Sequence, residues 1–328
     1  MMKGNIIFVL VMMLFLAGCQ NPSSENDDHT PSSANEANNE SSDDAEVNSE
    51  ENVITTTDEN DQVFRVISAY KWVSQYVKKA EETDSESERA ELWENIVMDH
   101  IQDQCLSGEY SHLVRNYVYA SPEDLESLKT DADILEDANF EDVAIKALET
   151  SAKEFPGPET TVCLLPQGSE MNFLGVNLGA GLISVFYDTS QSEASLQSTI
   201  AHEYHHSTWT EKYSDNYEWD LLGSVIFEGK AEYFASLIFD NRAGANFIGA
   251  EEEELWDKVK DSLHSANSYK IDNVLYGGEN GFPYNYGYFL GYEMVRQYVE
   301  NHPETTIEEW SKLSPTELYE KSGYGDSF

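Results

Sequence analysis

The residues best suited to chemistry lie between His202 and His206, in a chain with only 8 histidines among 328 residues. In a helix, side chains four positions apart share one face, so His202 and His206 can bind one metal ion. Neutral imidazole is a common zinc ligand. Glu203 points to the side of this face, where it can take a proton from a water that the metal activates. The pattern therefore predicts a catalytic zinc site.

The helix that carries this motif has a polar stripe and an apolar stripe. The polar stripe holds Ser195, Ser198, Thr199, His202 and His206, and the apolar stripe holds Leu196, Ile200 and Tyr204. Such a helix can line a cleft with one face and pack its other face in a core. His202 and His205 are an alternative ligand pair, but that register leaves Glu203 without a useful position.

A catalytic zinc needs a third protein ligand and one open position. Glu228 and Glu232 lie four residues apart in the largely apolar segment Leu221–Phe239. A buried carboxylate is costly unless it is paired or bound to a metal. We expect Glu228 to be the third ligand and Glu232 to accept the ring N–H of a ligand histidine. The opposite assignment stays open, as does a surface pairing with Lys230.

Periodicity predicts an α+β fold that is mostly helical, in which a small β-sheet is followed by the active-site helix and a helical C-terminal part. The predicted strands are Thr161–Pro166 and Leu182–Asp188, and the glycine-rich Gly175–Gly181 is expected to form a loop. The predicted helices are Gln62–Glu82, Ser87–Cys105, Glu123–Leu128, Glu141–Phe155, Ala194–Trp209, Trp219–Phe239, Glu252–His264 and Tyr284–Asn301.

The N-terminus predicts export and a lipid anchor. Lys3 precedes the apolar run Ile6–Leu16, which is too short to span a bilayer but suits a signal peptide. Its end, Leu-Ala-Gly-Cys, resembles a bacterial lipobox in which Cys19 would be lipid-modified. We therefore expect a signal peptide at 1–19, a disordered acidic tether at 20–61 and a metalloprotease-like domain at 62–328. The protein would then lie outside the cell, anchored to the membrane.

Charge and cysteine content exclude several classes of site. Lys and Arg number 19 against 62 Asp and Glu, a net charge of −43, so no basic surface for nucleic acid is expected. No Gly-Lys-Ser/Thr follows the glycine-rich stretch, so no nucleotide phosphate loop is expected either. The sequence lacks a Cys-x-x-Cys pair, which argues against a thiolate zinc site. Whether Cys105 and Cys163 form a disulfide stays open.

His-Glu-x-x-His followed in the next predicted helix by Glu-Gly-x-Ala-Glu resembles the gluzincin metallopeptidases, and the chain is most similar to the YjaZ-like predicted zinc-dependent proteases. The resemblance implies a zinc metalloendopeptidase with one Zn²⁺ per chain and a peptide or protein substrate. His202, His206 and Glu228 match the ligands, Glu203 the general base, and Glu232 the acid behind a ligand histidine.

The resemblance also implies a donor for the oxyanion and a strand for the substrate. Tyr288 occupies the family's Gly-Tyr-x-x-Gly position, whereas Tyr286, Tyr292 and His264 are alternatives. Leu182–Asp188 would be the edge strand that binds the substrate backbone. A non-catalytic metal-binding or scaffold lipoprotein on a protease-like fold is the main alternative, and a solute-binding lipoprotein is a weaker one.

Overall fold

A mixed five-stranded sheet organises the protein, which a computed structural model describes for residues 52–169, 171, 173–240, 250–278 and 281–328. The strands are β1 (Val53–Thr57), β2 (Val63–Ile67), β3 (Thr160–Pro166), β4 (Gly175–Gly179) and β5 (Leu182–Tyr187). Their order is β1-β2-β3-β5-β4. The central strands β2, β3 and β5 are parallel, and each edge strand is antiparallel to its neighbour.

Helices fill the chain between β2 and β3 and after β5. The first group is α1 (Tyr70–Ala80), α2 (Glu86–Trp93), α3 (Asp99–Cys105), α4 (Arg115–Val118), α5 (Leu125–Asp137) and α6 (Phe140–Glu154). The second is α7 (Glu193–Tyr213), α8 (Leu221–Phe239), α9 (Ala250–Val259), α10 (Ser268–Leu275), α11 (Tyr286–Asn301), α12 (Ile307–Lys312) and α13 (Pro315–Ser322). Among the described residues, no helix is both long and apolar enough to cross a bilayer. The predicted α+β, mostly helical class is confirmed.

The sheet separates two hydrophobic cores, because alternate side chains of a strand point to opposite faces. Val162 and Leu164 on β3 belong to the core that includes α6, α7, α8 and α11. Cys163 and Leu165 belong to the core that includes α1, α2 and α3. Strands that are covered on both faces have nearly continuous apolar sequences, which explains the composition of β3 and β5.

The predicted helix Gln62–Glu82 is wrong in its first part. Its residues divide into strand β2 and helix α1, joined at Ser68 and Ala69. Val63, Val66 and Ile67 favour a strand because β-branched side chains fit a pleated sheet. Apolar residues at helical spacing were therefore only a partial guide here.

The predicted tether 20–61 extends too far towards the domain. Strand β1 pairs with β2 from Val53↔Ile67 to Thr57↔Val63, so the folded part includes the chain from Asn52 onwards. The β1 sequence Val-Ile-Thr-Thr-Thr is β-branched and uncharged, unlike the acidic residues before it. The predicted signal peptide, Cys19 and residues 20–51 lie outside the described residues.

The glycine-rich stretch is a strand rather than the predicted loop. Gly175–Gly179 forms β4, which turns back antiparallel along β5. Gly179 and Gly181 have φ values of 135° and 79°, conformations that favour glycine and allow the tight return. Because β4 takes the edge of the sheet, β5 lies inside it. The assignment of Leu182–Asp188 as the substrate-binding edge strand is therefore wrong.

Cys105 and Cys163 form a disulfide, with their Cα atoms 5.7 Å apart. The bond joins the end of α3 to the middle of β3, and both cysteines are fully buried. The Ser184 hydroxyl donates to the Cys105 carbonyl at 2.7 Å, which also fixes this point to β5. The structure thus answers the question that the sequence left open.

Candidate metal centre

Helix α7 presents its two stripes as the sequence predicts. It begins after Ser192, whose hydroxyl accepts the Ser195 backbone N–H as an N-cap. Leu196, Ile200 and Tyr204 are fully buried in the core. The opposite stripe is therefore oriented towards the space between α7, α8 and β4.

Helix α8 supplies the third candidate ligand. Asp220 caps its first turn, accepting the Gly223 N–H at 2.8 Å. The Oε2 atom of Glu228 lies 3.3 Å from His202 Nε2 and 3.2 Å from His206 Nε2. The two Nε2 atoms are 3.0 Å apart. Three potential ligand atoms from two helices therefore converge on one point.

The donor set fits zinc in chemistry and in spacing. Two imidazole nitrogens and a carboxylate oxygen are typical ligands, and bonds of about 2.0–2.1 Å in tetrahedral geometry separate ligand atoms by about 3.3 Å. The same contacts also define the tautomer in which His202 could bind a metal. When the neutral ring of His202 donates from Nδ1 to Glu232, its Nε2 carries a free lone pair that can bind the metal.

Glu232 lies directly behind His202. Its Oε1 is 3.2 Å from His202 Nδ1, on the opposite side of the ring from Glu228. A carboxylate in this position fixes the tautomer and orientation of a metal-binding imidazole. The geometry favours Glu228 as the metal ligand and Glu232 as the acceptor that orients His202. It does not favour Glu232 as the ligand.

The electrostatics of the cluster favour a charged carboxylate against two imidazoles. Burial opposes ionisation of Glu228, but the neighbouring His206 and His202 lower its pKa to about 2. Burial alone would lower the pKa of His202, but hydrogen bonds with Glu228 and Glu232 raise it well above its usual value. The cluster therefore attracts positive charge, whether protons or a metal cation.

Glu203 lies beside the cluster and against edge strand β4. Its side chain is buried, and its carboxylate lies near the backbone N–H of Asn177. A Cβ atom on Gly175 would lie only 3.1 Å from Glu203 Cγ and 2.7 Å from Thr199 Cγ2. Gly175 thus lets the strand approach α7 closely at the predicted general base. Burial raises the pKa of Glu203 above its usual value.

Tyr288 is the tyrosine of the three candidates that faces the centre. Its ring is stacked 6.2 Å from that of His202. Tyr286 is fully buried in the core, and the Tyr292 ring lies near Tyr233, 5.6 Å away. The alternative His264 pairs instead with Asp220, with 2.9 Å between Nδ1 and Oδ2.

Two glycines of the quoted motifs, Gly229 and Gly291, bring Tyr288 to the centre, a role that the sequence analysis did not assign to them. A Cβ on Gly229 would lie 2.1 Å from the Gly291 carbonyl carbon, and a Cβ on Gly291 would lie 2.0 Å from Val225 O. Helices α8 and α11 therefore cross at backbone contact. The sequence held a hint of this contact, because Gly229 directly follows Glu228 and Gly291 lies one turn after Tyr288.

His205 points away from the candidate metal site. Its Nε2 lies 3.0 Å from the Ser311 hydroxyl, and its ring stacks on Trp310. Burial lowers its pKa well below the usual value. The neighbouring Lys230 is fully buried and donates to the carbonyls of Ser311 and Leu313 at 2.9 and 2.7 Å. The His202–His205 pair is thus excluded by geometry, and Lys230 is not a surface partner of Glu228.

Sequence reasoning also missed Phe227. Its ring stacks on that of His206 with centroids 3.9 Å apart and an interplanar angle of 20°. It belongs to a group of aromatic side chains beside the centre, which also contains Trp209, Tyr217 and Trp219. The only hint in the sequence was its place immediately before Glu228.

A comparison with known protein families matches residues 140–320 to the family described as "Predicted Zn-dependent protease (DUF2268)". The match covers the candidate ligands, Glu203, Glu232 and Tyr288. No curated protein and no solved structure matched the chain. Since the match spans more than half of the sequence, the chain belongs to this family of predicted zinc-dependent proteases.

Proposed function

We propose that this chain is an extracytoplasmic, membrane-anchored zinc metallopeptidase of gluzincin type. The observation that carries the proposal is the convergence of His202, His206 and Glu228 beside Glu203. A metal store would need the three ligands, but it would not need a buried carboxylate held at the same point. That extra carboxylate favours hydrolysis over a purely structural metal site.

The bound zinc would polarise the peptide carbonyl and make the attacking water more acidic. Glu203 would take a proton from that water and deliver it to the departing amine. The nearby Asn177 N–H and the close approach of Gly175 to the Glu203 side chain support this role. A raised pKa also suits a group that must both accept and return a proton.

Tyr288 would donate a hydrogen bond to the oxyanion that forms on the substrate carbonyl. Burial, together with the nearby carboxylates and Tyr276, raises the pKa of Tyr288 well above its usual value. The phenol therefore keeps its proton at neutral pH and remains a donor. Donors placed where charge develops are among the largest contributions to catalysis.

Strand β4 would bind the substrate backbone in place of β5. It is the sheet edge beside α7, and its residues Gly175 and Asn177 lie next to Glu203. An extended peptide that adds to this edge would bring its carbonyl groups past the metal centre.

The anchor is proposed from the first residues of the chain. The apolar run Ile6–Leu16 and the Leu-Ala-Gly-Cys sequence that ends at Cys19 support lipidation, and two acyl chains suffice for stable membrane attachment. Residues 20–51 contain no lysine or arginine and would give the domain reach from the membrane.

Zinc content and cleavage of a peptide library by wild type and Glu203→Gln test the enzyme proposal. We expect both proteins to bind zinc and only the wild type to cleave peptides. Equal cleavage by Glu203→Gln would contradict the role of Glu203. Zinc binding without turnover by either protein would favour the alternative, a non-catalytic metal-binding lipoprotein.

A further inference from the structure

Among the described residues, no main-chain hydrogen bond from another segment covers the outer edge of β4 beside Glu203, whereas this edge is covered a short distance further on. The Tyr110 N–H donates to the Leu178 carbonyl at 3.0 Å, so this outward-facing group is already occupied. A Cβ on Gly108 would lie 1.9 Å from the same oxygen. The segment Gly108–Tyr110, which we name the edge plug, therefore lies directly on β4 where a substrate strand would continue.

The edge plug also closes the space between β4 and α7. The Tyr110 phenol lies close enough to Thr210 on α7 to interact with its hydroxyl, which accepts the Asn177 side-chain amide at 3.3 Å. One side chain of the plug thus reaches across to the helix that carries Glu203. β4, the edge plug and α7 therefore close one end of the space between the strand and the helix.

The plug is fixed by covalent and polar contacts close to its start. Cys105, three residues before Gly108, is bonded to Cys163 on β3. Its carbonyl accepts the Ser184 hydroxyl of β5 at 2.7 Å. Because both cysteines are fully buried, the start of the plug is attached to the hydrophobic core.

The length of the open part follows from helix and strand geometry. Glu203 and Thr210 are seven residues apart on α7, a distance of about 10 Å at 1.5 Å per residue. An extended peptide rises about 3.3 Å per residue, so about three residues fit between them. Along β4 itself, the plug begins at Leu178, the residue after Asn177, so three residues is an upper limit.

We propose that this peptidase trims the ends of peptides, accepting no more than about three residues on one side of the cleaved bond. The inference rests on the proposed function and on substrate binding to β4. It narrows the expected endopeptidase to an enzyme whose substrates are oligopeptides or protein termini. On the other side of the bond, where Leu174 is exposed, the proposal sets no such limit on the length of the substrate.

The test is to map the first cleavage products of full-length protein by mass spectrometry, using peptides of one core sequence lengthened at either end. We expect cuts within about three residues of one end, and a loss of kcat/KM of about tenfold or more when the closed side is lengthened further. Cuts in the interior of long peptides, at rates equal to the terminal cuts, would overturn the proposal.

Variants of the plug sharpen the test. Gly108→Val forces the plug off the Leu178 carbonyl, and Tyr110→Ala removes the side chain that reaches Thr210. Either variant should move cleavage towards interior bonds. Ser107→Ala removes a hydroxyl that donates to the Asp103 carbonyl at 2.7 Å, within the end of α3, and should keep the wild-type pattern. Unchanged positions in a folded Tyr110→Ala protein would also count against the plug.

The same experiments distinguish failure of the end-trimming proposal from failure of the proposed function. If wild type and Glu203→Gln both leave every peptide intact, the enzyme assignment fails. If wild type cuts only interior bonds and Glu203→Gln cuts none, the enzyme assignment stands and the end-trimming proposal fails.

Discussion

At the residue scale, the two candidate ligand histidines are held by different contacts. The Nδ1 of His202 lies 3.2 Å from the Glu232 carboxylate, whereas the ring of His206 stacks 3.9 Å from Phe227. Among the described residues, the Nδ1 of His206 has no hydrogen-bond partner. The orientation of His202 therefore depends on the Glu232 carboxylate, and the orientation of His206 depends on aromatic packing against Phe227.

Glu232→Ala should weaken zinc binding by roughly 10–100-fold, because the imidazole of His202 loses the acceptor that fixes its tautomer. Competition with a chromophoric chelator measures the affinity. Glu304→Ala, on the exposed turn after α11, is the matched control and should bind zinc as the wild type does. Equal affinities of the two variants would contradict the role of Glu232.

Tyr288→Phe should lower kcat by roughly 10²-fold while leaving zinc affinity unchanged, since the variant keeps the ring but loses the oxyanion donor. Steady-state kinetics on a cleaved peptide, together with zinc titration, separates the two effects. Tyr292→Phe makes the same chemical change one turn further along α11, where we expect little effect. A Tyr288→Phe enzyme with full kcat would remove Tyr288 from the mechanism.

At the element scale, the site depends on close approach between backbones. Gly175 allows β4 to reach α7, and Gly229 with Gly291 allows α8 to reach α11. The helical motifs could be predicted because their spacing is local to one helix. The place of β4 could not, since a glycine-rich sequence has a weak strand signal and its pairing with β5 depends on the whole sheet.

Gly175→Ala should reduce kcat by roughly 10–100-fold, because the new methyl group collides with Thr199 and displaces the carboxylate of Glu203. Zinc affinity should be nearly unchanged. Adding Thr199→Ser removes the methyl group at 2.7 Å and should restore part of the activity. Kinetics of the two single variants and the double variant measure the coupling, and strictly additive losses would contradict this contact.

At the scale of the whole molecule, the disulfide joins distant parts of the chain around the sheet. Cys105 and Cys163 are 58 residues apart in sequence. The sequence could not decide this pairing, because it contains no information on the Cα separation. The sequence did predict the fold class and the helix α7 that carries the two histidines, because both depend on local periodicity. The predicted end of the tether at residue 61 was placed too late, because β1 is short and follows a long acidic segment.

Replacing both cysteines by serine should lower the free energy of unfolding by about 4 kcal/mol, the loop-entropy value for a closed loop of this length. Chemical denaturation of the purified domain measures the change. The wild type in excess reductant, unfolded and refolded, should approach the double variant. An unchanged denaturation midpoint would show that the bond contributes nothing to stability.

The central claim is that His202, His206 and Glu228 bind one zinc ion. Metal analysis combined with X-ray absorption at the zinc edge tests it most directly on the purified protein. We predict one zinc per chain with two imidazole nitrogens and a carboxylate oxygen at about 2.0–2.2 Å, and loss of the metal in His206→Ala. A protein without zinc, or one that keeps a full zinc complement after His206→Ala, would contradict the account.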